Sequence, residues 1–212
     1  MKRVTTALTV LIVLLCLPNA ICASSTSKAR TPVIVVDPGH GGKDTGAVRG
    51  GIAEKNLNLD MAKRLQTLLK AHKITVYMTR TTDKTVDLYS RSGLANKVDA
   101  DLFVSIHNNA GSRGDKGTMT LYYPGGSQTG RRLVGRDIAS IIQKELTAKL
   151  STRSLGLYSR PNLAVLRTTR MPAVIAEVGY MSDKNELAKL KTASYRQKTA
   201  AALEKAILKV FE

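Results

Sequence analysis

The sequence predicts a single three-layer α/β domain: a twisted, mostly parallel sheet with helices on both faces. Three observations point there. Nearly unbroken apolar runs at residues 33–36, 102–106 and 173–176 have the composition of strands buried on both faces, not the alternation of a sheet with one wet side. Segments with helical apolar spacing separate the strands, as in β-α-β architectures. Each run also leads into polar residues, Glu177 alone in the third case, where open α/β sheets carry their chemistry.

Residues 1–23 read as an export leader. Lys2 and Arg3 make a basic start, 7–17 an apolar core, and Ala23 a cleavage position with Ile21 two residues before it. The core is shorter than the ~20 residues of a membrane-spanning helix. Cys16 and Cys22 follow Leu15 and Ile21, bulkier than the small residue expected before a lipidated cysteine. Both leave with the leader, so the mature chain is expected to lack thiols and disulfides. Residues 24–31 read as a short polar linker and 32–212 as the folded domain.

Within that domain, the strand at 33–36 runs into Asp37-Pro38-Gly39-His40-Gly41-Gly42. A helix is expected over 54–71, with Leu57, Met61, Leu65, Leu68 and Leu69 on one face, followed by a strand at 74–78. A second helix at 88–98 places Leu88, Leu94 and Ala95 inward. The strand at 102–106 runs into His107-Asn108-Asn109, and a further strand covers 118–123. A basic helix at 130–150 carries Leu133, Ile138, Ile141, Ile142 and Leu146 on its apolar side. The strand at 173–176 ends in Glu177. A last helix at 195–211 buries Tyr195, Ala202, Leu203, Ala206, Ile207 and Val210.

The 212 residues leave room for one full domain, and 43% hydrophobic content excludes a wholly disordered chain. Lys and Arg number 33 against 16 acids, a formal charge of +17, which calls for a polyanionic neighbour. Losing the leader removes Lys2 and Arg3 and no acid, leaving +15. An exported chain with no Trp, two Phe and no nucleic-acid motif is a poor nucleic-acid binder. The acidic cell envelope is the better partner, in the periplasm or outside the cell. No stable membrane anchor is expected after cleavage, and nothing demands more than a monomer.

His40, His107 and Glu177 each follow a buried strand. If those strands are parallel neighbours, the three side chains gather at one sheet edge, and Glu54 joins them from the start of a helix. Two His and two Glu there make the constellation of a hydrolytic zinc site. Zinc in catalytic centres takes three protein ligands, His/His/Glu being one set, and leaves a fourth position for water. The remaining carboxylate then serves as general base and acid. Singly, each residue has a plainer reading. A His is often a hydrogen-bonded structural residue, Glu54 meets a helix dipole, and His72, at the end of a Lys-rich helix, is solvated. Glu177 is the most informative, because a carboxylate behind four apolar residues is costly to bury without a cation or metal.

These residues sit in blocks that closely resemble the zinc-dependent N-acetylmuramoyl-L-alanine amidases of the type-3 family. The blocks are Val33-Ile34-Val35-Val36-Asp37-Pro38-Gly39-His40-Gly41-Gly42-Lys43-Asp44-Thr45-Gly46-Ala47, then Glu54-Lys55-Asn56-Leu57-Asn58. Thr79-Arg80, Leu88 to Arg91 with Ala95-Asn96, Phe103-Val104-Ser105-Ile106-His107, and Pro172 to Ser182 complete them. They run in the family's order from about Val33 to Leu208, which makes 32–212 the catalytic amidase domain.

The resemblance implies that His40, Glu54 and His107 bind zinc and that Glu177 is the catalytic carboxylate. The substrate implied is peptidoglycan, cut at the amide between the lactyl group of N-acetylmuramic acid and L-alanine. Asp37 and Asn109 are candidates for orienting a ligand imidazole or touching substrate. Arg80 and Arg91 either meet substrate carboxylates or brace the loops through ion pairs. The chain departs from the family at Asn108, usually Ala, at Tyr180, usually Phe, and at Asp183, usually Asn; none is expected to touch a ligand. Some relatives carry an inhibitory helical insertion. Here only about forty residues separate Tyr123 from Leu163, so the site is expected to be open without an activator. Two rival readings are a zinc peptidase of the stem peptide and a non-catalytic envelope-binding module, which has no need of a fourth group such as Glu177.

Overall fold

In the computed structural model, residues 30–112, 114–125 and 134–212 are described. The leader at 1–23, with Ala23, Cys16 and Cys22, lies outside them, as do the linker up to residue 29 and the start of the 130–150 helix with Leu133. The first strand, β1 (Val33–Pro38), has no polar side chain until Asp37 and is buried from Ile34 onward. A two-residue hairpin pair, β2 (Val48–Arg49) and β3 (Ile52–Ala53), leads into α1 (Glu54–Ala71). Then follow β4 (Thr75–Met78), α2 (Leu88–Lys97), β5 (Leu102–Asn109), β6 (Thr118–Tyr122), α3 (Gly135–Leu150) and β7 (Ser154–Ser159). The chain ends with α4 (Ala164–Arg167), β8 (Ala173–Tyr180), α5 (Lys184–Lys191) and α6 (Ala193–Phe211).

Six strands form one sheet in the order β4-β1-β5-β8-β6-β7. All pairs are parallel except β6 against β8. The larger core lies where α1, α3 and α6 cover one face, around Leu57, Leu65, Val104, Ile142, Val174 and Leu203. The smaller core gathers Val35, Phe103, Met119, Ile175, Val165 and Ala95 beneath α2 and α4 on the other face. The three-layer, mostly parallel architecture is therefore as the sequence predicts. No helix among the described residues is long and apolar enough to cross a membrane.

Several boundaries differ from expectation for physical reasons. His107 and Glu177 lie inside β5 and β8, because the ladder between these strands continues through them in register, His107 opposite Glu177. β7 went unpredicted: its Ser154-Leu155-Gly156-Leu157 start is short, half-exposed and at the sheet edge, so no apolar run announces it. The Lys-rich α5 was equally silent, since it buries only Glu186 and Leu190. Leu88, expected inward, opens α2 at its solvent end and is 55% exposed. His72 is exposed but not merely solvated; its Nε2 lies 2.8 Å from Glu204 on α6.

Candidate metal centre

Because β1, β5 and β8 are parallel neighbours, their C-terminal ends share one edge of the sheet, and the predicted residues meet there. His40, Glu54 and His107 bring one potential ligand atom each to within 4.8 Å of one another. His40 Nε2 is 3.2 Å from Glu54 Oε2, and His107 Nδ1 is 3.1 Å from Glu54 Oε1. The two imidazoles meet edge to face, with centroids 4.8 Å apart.

The loop after β1 is built to hold this arrangement. His40 adopts a left-handed backbone, φ 61°, which a residue with a Cβ occupies only when its surroundings enforce it. Arg91 supplies part of that force: its NH2 donates to the His40 carbonyl at 2.8 Å. Gly39 is required by contact. A Cβ there would fall 2.1 Å from His107 Nε2, inside the imidazole itself. Gly46 plays the same part for Glu54, with Oε2 2.6 Å from where its Cβ would be. Gly39→Ala should therefore displace His107, and the variant dialysed against trace zinc should hold far less metal than the parent. Stoichiometric zinc in that variant would remove His107 from the ligand set.

Hydrogen bonds orient the three candidate ligands. His40 Nδ1 lies 2.9 Å from Asp44 Oδ2, so the ring donates to Asp44 and turns Nε2 toward Glu54. Glu54 receives the Ala47 backbone N–H on Oε2 at 3.1 Å, and the Asn108 backbone N–H and Asn58 Nδ2 on Oε1 at 3.0 and 3.1 Å. Burial opposes the charge of Glu54, but its bonds to His107 and His40 prevail and hold the carboxyl far below the ordinary range. Burial likewise disfavours the His40 cation, yet the hydrogen bonds and charges of Glu54 and Asp44 push it up to about 9. His107 is raised against its own burial by Glu54 and by the charge of Glu177. A carboxylate that attracts two cations in this way is the donor set a divalent metal replaces protons on.

Glu177 stands beside this group without joining it. It is the neighbour of His107 across the β5–β8 ladder, and its Oε2 is buried with no hydrogen-bond partner. Burial raises its pKa, the charge of Glu54 adds to the rise, and His107 and His40 oppose it. Beside the imidazoles opens a cleft of about 320 Å³, bordered by Asp44, Thr85, Leu88 and Val165.

The remaining candidates have other tasks. Arg80 and Arg91 are almost wholly buried. Arg80 donates to the carbonyls of Pro38, Gly39, Lys55 and Thr82, and Arg91 to those of Pro38, His40 and Val86 and to Asp37 Oδ1. Four of the five N–H groups of each are thus committed to bracing the loop. Asp37 touches neither imidazole; it pairs with Arg91 at 2.7 Å and accepts from Thr79 and Ser105. Asn109 reaches the Met119 sulfur, 3.7 Å away, and the Ala110 N–H. The expectation that Asn108 stays clear of the ligands is corrected, since its N–H meets Glu54. The parts played by Asp44, Asn58 and Asn108 escaped the sequence reading. Asn58 carried a signal, four residues from Glu54 on one helix face.

Comparison with known proteins identifies the family. Residues 34–209 match the family model described as N-acetylmuramoyl-L-alanine amidase. The chain is 34% identical over 188 residues to the N-acetylmuramoyl-L-alanine amidase LytC of Bacillus subtilis, covering 87% of this chain but 37% of that protein. It is 38% identical over 181 residues to the amidase CwlM of Bacillus licheniformis, covering 84% of this chain and 68% of the relative. Among solved structures, the catalytic domain of the amidase CwlV from Bacillus (Paenibacillus) polymyxa superposes with a TM-score of 0.78 at 34% identity, over 85% of this chain and 98% of that one. The chain belongs to the N-acetylmuramoyl-L-alanine amidase family.

Proposed function

We propose that the chain is a zinc-dependent peptidoglycan amidase, exported to the periplasm or the outer face of the envelope. It would cut between the lactyl group of N-acetylmuramic acid and the L-alanine of the stem peptide. The observation that carries this reading is a buried carboxylate oxygen on Glu177, unpartnered, next to two imidazoles and a carboxylate whose bonds leave a ligand atom of each turned inward.

That donor set, two nitrogens and one oxygen cradled by Gly39 and Gly46, fits zinc. Zinc held by His40, Glu54 and His107 would supply Lewis acidity, polarising the amide carbonyl and favouring attack by water near neutral pH. The chain supplies the rest. Glu177 takes the proton of the attacking water on its carboxylate and returns it to the nitrogen of the departing alanine. Its raised pKa suits a group that must both accept and release a proton. Asp44 keeps His40 in one tautomer, and the Arg80–Arg91 brace keeps the loop from relaxing between turnovers. The net positive charge favours residence on the anionic wall, which should weaken as salt screens it.

The test is digestion of purified peptidoglycan by the mature chain alone, with chelator and with zinc restored, the soluble products identified by mass spectrometry. Zinc-dependent release of intact stem peptides with a free N-terminal alanine is expected. Shortened stems still attached to sugar would assign a peptidase, and wall binding without release would assign a binding module or a need for an activator.

A further inference from the structure

We propose that Asn108, acting through Asn58, is a positioning residue that turns Glu54 toward its metal; the inference rests on Glu54 being a ligand. Asn108 and Asn58 are both buried on the helical side of β5 against α1. Asn58 Nδ2 donates to Glu54 Oε1 at 3.1 Å and to the Gly39 carbonyl at 3.2 Å. Asn108 Nδ2 donates to Asn58 Oδ1 at 2.8 Å.

The direction of this chain is fixed from its carboxylate end. An ionised carboxylate and a carbonyl only accept, so Asn58 must present its NH2 to both. Its Oδ1 then faces Asn108, which must present an NH2 in turn. The cost is visible at the far end, where Asn108 Oδ1 is buried and has no partner. Asn108 thus satisfies the buried Asn58 acceptor and leaves its own unpaired, whereas an apolar residue would orphan Asn58 Oδ1, next to the donor that holds Glu54. The donor end points, through one relay, at a ligand oxygen and at the carbonyl of the glycine packed on His107. Asn108 also fixes the same oxygen directly with its backbone N–H at 3.0 Å, so its side chain and main chain act on Glu54 from two directions.

The prediction is read in zinc affinity, measured on the full mature chain by competition with a chromophoric chelator. Asn108→Leu keeps the branched shape, at somewhat greater bulk, and removes the donor, and Asn108→Ala removes both shape and donor. Each should weaken zinc binding by about tenfold, the lower end of what outer hydrogen-bond partners of metal ligands contribute. On an Asn58→Ala background, adding Asn108→Ala should change the affinity little, because the relay is already cut. A packing role predicts instead that Leu restores parental affinity while Ala lowers only the thermal midpoint, and that result overturns the proposal. Leu and Ala variants that fold, judged by near-ultraviolet circular dichroism, and bind zinc as the parent does overturn it as well. Glu54→Ala is the separate control: parental affinity in that variant would overturn the metal centre itself and the relay with it.

Discussion

Glu177→Gln is expected to lower peptidoglycan hydrolysis by about 10²- to 10⁴-fold, the range that a positioned proton carrier supplies. The variant should keep its zinc, since Glu177 lies outside the His40, Glu54 and His107 group. It should also be no less stable than the parent. A carboxyl whose pKa is raised by burial prefers its neutral form in the fold, so ionisation favours the unfolded chain. Below the ordinary carboxylate range both states are protonated and the Gln substitution changes nothing. As pH rises through that range the unfolded parent ionises first, and the stability of Gln over Glu should grow and then level off above the folded-state pKa. Chemical denaturation of the metal-free proteins across acid to neutral pH reads this difference. A Gln variant that hydrolyses peptidoglycan at the parental rate would take Glu177 out of the reaction.

Arg91→Met should cost about 3–5 kcal/mol, the penalty for leaving one member of a buried ion pair behind. Asp37 is 1% exposed, and Arg91 is the cation at its Oδ1. The hydroxyls of Thr79 and Ser105 remain as donors but carry no charge. The loss should reach the metal centre too, because the same guanidinium holds the carbonyls of Pro38 and His40. Urea unfolding should show a lower midpoint, and the zinc content should fall with it. Changing Asp37 to Asn alongside Arg91→Met should recover part of the stability without recovering the metal. A single Met variant with the parental midpoint would show that the pair is not what holds this loop.

Much of this was legible in the residues because two different rules pointed the same way. Val33 to Val36 and Ala173 to Ala176 had to be strands buried on both faces, and such strands end where chemistry collects. That logic led to His40, His107 and Glu177, and the structure places all three at one edge with Glu54. The sequence was less informative wherever function depended on what a side chain donates to. Arg80 and Arg91 look the same whether they face a substrate or the carbonyls of their own loop, and only the fold decides for the loop. Asn108 drew notice as a departure from a family pattern, yet its contact with Glu54 runs through a backbone N–H, which no residue type advertises. Edge strand β7 and helix α5 were missed because neither buries enough apolar surface to leave a period in the sequence.

The four residues of the centre come from four separate elements, a turn after β1, the first residue of α1, β5 and β8, spread from position 40 to position 177. Parallel pairing of strands so far apart forms late, after the loop-closure entropy has been met. A chain that has not yet folded therefore has its imidazoles and carboxylates scattered. The four side chains are together only when β8 lies beside β5, which sets Glu177 opposite His107. For an enzyme of this family, that ties the onset of activity to the assembly of the sheet, and makes the return of activity during refolding a report on the joining of β5 and β8.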